Sequence, residues 1–382
     1  MIFQIERNLP VERAILNAEN ILNNLPITYS VNKIFLDSGL YTTIVTIYDK
    51  NNQYVTQGNG KGIGQQSIAS ALYEALEHYI LEKYFPTESK SLTISQIISQ
   101  NRALSTEAPL YEMMRQNPNY LLECILFKEC DSENEMYYPT FLLSPEHRLL
   151  PEYMDYSSNN GVACGSDLNE SLLHGICELI ERHSLSKLYI NLISNPNFKM
   201  KQLDKKTLPT NILSLITKVE DNYSLTLEIY DIRYFPEIPV YLTLIRRGPI
   251  PIHGSGCSLS SNYALERSIL ECMQQLHLND SENIAEDTAI INLFSESNEI
   301  LRALQFNADN ILISYNHQEN DVENCDVTHL FSVVKDLLHR KGHHIFYHVL
   351  EMKKNIVCVK IIIPGFEKFH LIRYGCSVCA NL

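Results

Sequence analysis

Two helical stretches far apart in the chain each line carboxylates along one face, and no other feature constrains the fold as strongly. From Gln66 to Tyr84, Ile68, Ala71, Leu72, Ala75, Leu76, Ile80 and Leu81 recur at helical spacing before Pro86, which predicts an amphipathic helix that the proline stops. Ser70, Glu74 and Glu77 stand at i, i+4 and i+7, so a hydroxyl and two carboxylates share a line. From about Leu168 to Ile190 a second helix repeats the theme with Glu170, His174, Glu178 and Glu181, all within about a quarter-turn at ~100° per residue. Like charges one turn apart repel by a few tenths of a kcal/mol per pair, so a compensating cation is called for. Divalent ions suit hard carboxylate oxygens, magnesium above all, and such an ion can carry a nucleotide's phosphates. Arg182 follows Glu181 and offers phosphate a planar fork. A solvated acidic edge is the plainer account of one such face; it accounts less well for two.

A third helix, about Asn262 to Leu278, sets Arg267, Glu271 and Gln274 opposite Leu265, Ile269, Cys272 and Leu276. An Arg–Glu pair at i+4 is worth little by itself. A fourth runs from Val327 to Arg340. Alternating β-branched and polar residues predict a hairpin over Thr43 to Tyr54 and strands at Tyr120–Phe127, Tyr137–Leu143, Leu225–Tyr234, Ile238–Arg246, His344–Val349 and Ile356–Ile363. The turn clusters lie at Ser157-Ser158-Asn159-Asn160-Gly161 and Phe235-Pro236-Glu237. The fold class is α/β, of α+β type, with no fixed-period repeat and no low-complexity linker. One continuous unit is expected, divided as an N-terminal lobe (1–57), a main domain (58–375) and a short tail (376–382).

With 45 acidic against 31 basic residues the formal charge is −14, which disfavours a nucleic-acid binder. No apolar run approaches the ~18 residues of a membrane span, and the N-terminus lacks the pattern of a signal peptide, so a cytoplasmic protein is expected. The ten cysteines are scattered through mostly apolar segments and read as reduced thiols. Cys376-x-x-Cys379 has no second close pair to complete a zinc site.

Gly58-Asn59-Gly60-Lys61-Gly62-Ile63-Gly64 falls between a predicted strand and the first helix, a place where backbone N–H groups can approach a phosphate. It is neither a Walker A loop, since Gly62 and not Ser or Thr follows Lys61, nor a dinucleotide fingerprint, since Ile63 stands where the third glycine belongs. A tight structural turn accounts for it equally well. No nucleophile elbow, zinc-protease helix or kinase catalytic loop occurs. A di-iron site would need Glu-x-x-His at i, i+3 on two helices, whereas Glu170 and His174 are i, i+4. His78 and His183 follow Glu77 and Arg182 and point off the acidic lines, as packing residues or supports for the site.

Four blocks, Asn59-Gly60-Lys61-Gly62, Ser70-Ala71-Leu72-Tyr73-Glu74-Ala75-Leu76-Glu77-His78, Glu178-Leu179-Ile180-Glu181-Arg182-His183 and the run from Ala264 to Gln274, together resemble the YcaO family in order and spacing. The ending Val359-Lys360-Ile361-Ile362-Ile363-Pro364-Gly365 resembles the family's closing strand and turn, so the likeness spans about residues 58–375. It implies the YcaO fold, sheets flanked by long helices around an ATP and magnesium site, and an enzyme that activates a peptide backbone amide by phosphorylation to give an azoline, thioamide or amidine. Glu74, Glu77, Glu178 and Glu181 would share magnesium, Ser70, Glu170, Arg182 and Gln274 would hold the nucleotide, and Lys61 and Arg7 would lie near phosphate. The implied partners are a precursor peptide, a separate leader-binding or activating protein, and a second copy of the chain. Three departures stand out: His78 where the family has Arg, Ser166 four before Glu170 where it often has Asn, and an ending without the Pro-x-Pro-x-Pro run of azoline-forming members. The first and third raise a second possibility, a catalytically silent nucleotide-binding scaffold.

Overall fold

The computed structural model describes residues 5–35, 39–84, 86–143, 158–316, 322, 325–353, 355–376, 378 and 380. In chain order its elements are α1 (Val11–Asn23), β1 (Thr28–Phe35), β2 (Leu40–Tyr48), β3 (Tyr54–Ile63), α2 (Gln66–Lys83), β4 (Lys90–Thr93), α3 (Ile94–Gln100), α4 (Ala108–Gln116), β5 (Leu121–Glu129), β6 (Glu135–Pro139), β7 (Val162–Gly165) and α5 (Leu168–Ser194). There follow β8 (Lys199–Leu203), α6 (Thr210–Tyr223), β9 (Glu228–Asp231), β10 (Val240–Ile245), β11 (Ile252–Cys257), α7 (Ser261–Leu278), α8 (Ser281–Leu293), α9 (Asn298–Leu304), β12 (Asp309–Ile313), α10 (Val327–Arg340), β13 (Phe346–Lys353) and β14 (Ile356–Ile362). The mixed α/β class expected from the sequence is the one observed.

Two compact units emerge, one built mainly of Pro10–Ala75 and Ile180–Cys325, the other of Glu6–Leu9, Leu76–Leu179 and Asp326–Leu382. The chain passes between them inside α2 and inside α5, so each of these helices belongs to both.

The first unit holds the antiparallel sheet β1-β2-β3 and a five-stranded sheet ordered β11-β10-β9-β8-β12, in which β12 runs parallel to β8. Its core joins α6 and α7 to the larger sheet through Ile212, Ile216, Val219, Leu265, Ile269, Ile229 and Tyr241. The glycine-rich stretch read as a loop is in fact the end of β3, and packing explains the correction. A methyl at Gly58 would collide with the backbone of Ala71 and Ala75, and one at Gly60 with Ser67 and Ala71, so glycine lets the strand lie directly on α2. β11 repeats the device, with Gly254 against Ser268 and Cys272 and Gly256 against Ala264 and Ser268 of α7. Hence the β2-β3-α2 packing recurs as β10-β11-α7, with Glu271 and Gln274 at the helix positions that Glu74 and Glu77 occupy in the first copy. No fixed period revealed this single duplication because about 200 residues separate its copies.

The second unit holds the sheet β4-β5-β13-β14-β7, with β6 on β5, all antiparallel. Its core gathers Ile94, Ile97, Leu110 and Met113 from α3 and α4 onto Leu122, Cys124 and Phe127 of β5. All seven residues of β14 are buried, Lys360 among them.

Among the described residues no helix is long and apolar enough to cross a membrane. Cys124, Cys164, Cys177, Cys257, Cys272 and Cys358 are buried thiols. Cys379, Ser157 and the terminal Leu382 lie outside the described residues.

Candidate functional site

In the first unit, cations and carboxylates interlock at the crossing of β3, β11, α5 and α7. Lys61, on β3 beside the close-packed Gly60, forms an ion pair with Glu271. Arg182 Nη2 lies 3.9 Å from the other Glu271 oxygen, and Arg182 Nη1 lies 3.5 Å from Glu181 Oε1. Ser255, between the two glycines of β11, donates to Glu181 Oε1 at 2.7 Å. Gln274 donates to the backbone carbonyl of Asn59. Burial alone would raise the pKa of Glu271, but the charge of Lys61, then those of Arg182 and Arg267, hold it well below the usual carboxylate range. Ser70 and Glu74 sit one turn apart on the part of α2 that packs on β3.

The second unit assembles its own set around β7. Cys164 N–H donates to Glu77 of α2 at 2.7 Å, and Gly161 N–H, in the preceding turn, reaches Glu178 of α5 at 3.4 Å. Carboxylates from both long helices are thus drawn to backbone donors three residues apart. Glu170 Oε2 accepts from Ser166 Oγ at 2.5 Å and Asn8 N–H at 3.3 Å, while Oε1 faces Arg7 at 3.4 Å. Ser166 therefore serves as a support for Glu170. Asn159 Nδ2 donates to His78 Nε2 at 3.3 Å. Lys360 donates to the carbonyls of Ser158 and Asn160, both at 2.9 Å, which ties down the turn carrying Asn159 and Gly161. Burial, helped by Lys368, lowers its pKa to about 7 against the opposing pull of Glu178 and Glu107.

The acidic face of α5 is no solvated edge, because Glu170 is 5% and Glu181 2% exposed. The helix is apolar almost all round, with Leu172, Leu173, Ile176, Ile180, Leu185 and Leu192 buried, as a core helix should be. Carboxylates held there by backbone N–H, serine and arginine are ordered in advance, and their all-oxygen chemistry fits magnesium. His183 is buried between Tyr234 (4.6 Å between centroids) and Phe235 (5.9 Å), a packing role. Ser255, Cys164 N–H, Gly161 N–H and Asp167, which accepts from Glu170 N–H at 2.9 Å, escaped the sequence reading. Lys360 left a legible trace there, a lone lysine in an apolar strand.

Fold and site define a mixed α/β protein whose long core helices present ordered carboxylates. The profile of the YcaO cyclodehydratases, described as ATP- and Mg2+-binding, matches residues 59–367, and the chain belongs to that family. A curated protein of Rhizobium leguminosarum bv. trifolii, described as uncharacterised and in the tfuA 3′ region, is 23% identical over 239 residues, covering 59% of this chain and 56% of that one. Among solved structures, a heterocyclase in complex with substrate and cofactor matches with a TM-score of 0.70 at 19% identity over 95% of this chain and 54% of its own. YcaO from Methanopyrus kandleri, bound with AMPPCP and Mg2+, matches with 0.67 at 14% identity over 100% and 98%. The E. coli microcin synthetase McbBCD complex with pro-MccB17 matches with 0.61 at 16% identity over 90% and 89%. The chain thus spans little more than half the length of the Rhizobium protein and of the heterocyclase.

Proposed function

We propose that this chain uses ATP and magnesium to activate a backbone amide of a ribosomally made peptide. A nucleophile adds to the amide carbonyl, the resulting oxyanion takes the γ-phosphoryl group and releases ADP, and phosphate then leaves to give an azoline, a thioamide or an amidine. The observation that carries this reading is that Glu77 of α2 and Glu178 of α5 are held by N–H groups only three residues apart, in a chain whose family is described as ATP- and Mg2+-binding.

Glu74, Glu77, Glu178 and Glu181 would hold magnesium, which when bound neutralises triphosphate charge. Ser70, Glu170, Arg182 and Gln274 would hold the nucleotide, with Lys61 and Arg7 near phosphate. Glu271 keeps Lys61 and Arg182 extended and ready, and Ser166 and Asn8 orient Glu170. Positioning of this kind is the main protein contribution to phosphoryl transfer. The McbBCD synthetase complex with pro-MccB17 bound, among the structural neighbours, supports a partner protein that delivers the substrate, and we extend the proposal to a homodimer.

The test is incubation with magnesium, ATP, the cognate precursor peptide and its partner, reading phosphate release and peptide mass. Loss of water marks a ring, and replacement of oxygen by sulfur marks a thioamide. Glu74→Ala and Glu181→Ala should abolish both readouts; if both persist, the site assignment is wrong. Nucleotide binding with no turnover under these conditions would favour the silent scaffold.

A further inference from the structure

A second cluster of ligating side chains lies in the second unit, made of residues the proposed nucleotide site does not use. We propose that Glu129, His339 and His344 bind a divalent late first-row transition metal ion, with zinc as the best fit.

Three elements bring these residues together. Glu129 ends β5, and pairing of Phe346 with Glu129 sets His344, two residues earlier, beside that carboxylate. His339 lies in the last turn of α10, from which the chain reverses through Gly342 at φ 82°. His344 Nδ1 stands 2.5 Å and His339 Nε2 3.6 Å from the same oxygen, Glu129 Oε1, and one ligand atom from each residue falls within 4.8 Å of the others. Ligand atoms about 2.0–2.1 Å from a tetrahedral zinc are roughly 3.4 Å apart. The two spacings to Glu129 bracket that value, so the imidazoles need only small rotations to close on an ion.

The surroundings fit a ligand as well. The other oxygen, Oε2, accepts from Ser132 Oγ and from Asn134 Nδ2 at 2.7 Å, which fixes the orientation of the carboxylate in the way outer partners do at metal sites. Burial would raise its pKa, but the bonds from Ser132, His344 and Asn134 outweigh burial and lower it to about 2, keeping it anionic. Lys335 of α10 is engaged by Asp131 at 2.7 Å. Glu129 is a buried anchor, whereas both imidazoles are about half exposed, so water can complete the coordination from the open side. Two imidazoles and one carboxylate are a known zinc donor set, and imidazole nitrogen selects against magnesium and calcium. Bound metal would staple the end of α10 to β5 and β13.

The experiment uses the whole chain stripped of metal, without nucleotide. Zinc chloride should raise its melting temperature by several degrees where magnesium chloride does not. The double variant His339→Ala/His344→Ala should lose that rise, each protein being compared with itself in chelator so that the lost His344–Glu129 bond does not enter the readout. Asn134→Ala keeps all three ligands but removes one of the two side-chain donors to Oε2, and should weaken zinc about tenfold in calorimetry. Cobalt(II) should give visible bands without thiolate charge transfer, which excludes binding by the cysteines. No zinc-induced shift, or an equal shift in the double variant, would overturn the proposal and leave the cluster as a histidine–carboxylate ion pair.

Discussion

Neutralising Glu271 tests how the first unit manages its buried charge. In Glu271→Gln, the Lys61 ion pair becomes a hydrogen bond from the ammonium to an uncharged amide, and Arg182, 3.9 Å from the lost charge, keeps its contact with Glu181 at 3.5 Å. Breaking a fully buried pair costs about 3–5 kcal/mol. Here Lys61 is 20% and Arg182 27% exposed, so solvent screens part of that loss and about 2–3 kcal/mol is expected. At ~2 cal/mol/K per residue of unfolding entropy, a unit of about 200 residues drops ~2.5 °C per kcal/mol, or roughly 5–7 °C. The assay is a thermal melt of the parent, Glu271→Gln, Lys61→Met and the double variant. Because each single change strands the other partner, the double variant should be less destabilised than the sum of the singles by about 1–3 kcal/mol. The sign with pH is also set. A carboxyl whose folded pKa is depressed contributes stability above its ordinary value of 4.5 and loses it as pH falls toward the folded value, so parent and Glu271→Gln should converge in acid. Additivity within ~0.5 kcal/mol, with no convergence, would refute the reasoning.

Three further outcomes follow from the same geometry. Gly58→Ala drives a methyl into the backbone of α2 and should cost more than ~3 kcal/mol in urea unfolding or abolish soluble expression. Lys360 has a folded pKa of about 7 against 10.5 unfolded, so the unfolded chain holds more protons between those values and stability should rise with pH across that window, by up to roughly 5 kcal/mol; Lys360→Met should flatten this slope in pH-dependent denaturation. Ser255→Ala removes the 2.7 Å bond to Glu181 and should cost about 1.5–3 kcal/mol, read as a lower midpoint at unchanged m-value.

The long helices were legible because their signals are local. The expected range of α10, Val327 to Arg340, is the observed one, its start marked by Asp326, whose side chain accepts from His329 N–H at 2.7 Å. Ser260 likewise caps α7 at Tyr263 N–H, within a residue of the expected start. Local composition misled at β3, where glycine density suggests a loop while helix packing demands a strand without side chains. For the site, spacing exposed the carboxylate lines on α2 and α5 but not what holds them. Cys164 N–H, Gly161 N–H and Ser255 reach their glutamates only through sheet topology, which no periodicity encodes. Glu271 was visible as part of an ordinary helix pair, and its burial against Lys61 from a strand about 210 residues away was not.

In the proposed function the carboxylates of α2 and α5 act together on a magnesium-bound nucleotide. Calorimetric titration with a non-hydrolysable ATP analogue, with and without magnesium, tests this directly in the parent, Glu77→Gln and Glu178→Gln. Binding should require magnesium and weaken at least about tenfold in each variant, a loss of ~1.4 kcal/mol or more. Equal affinity in all three proteins, or binding indifferent to magnesium, would contradict it.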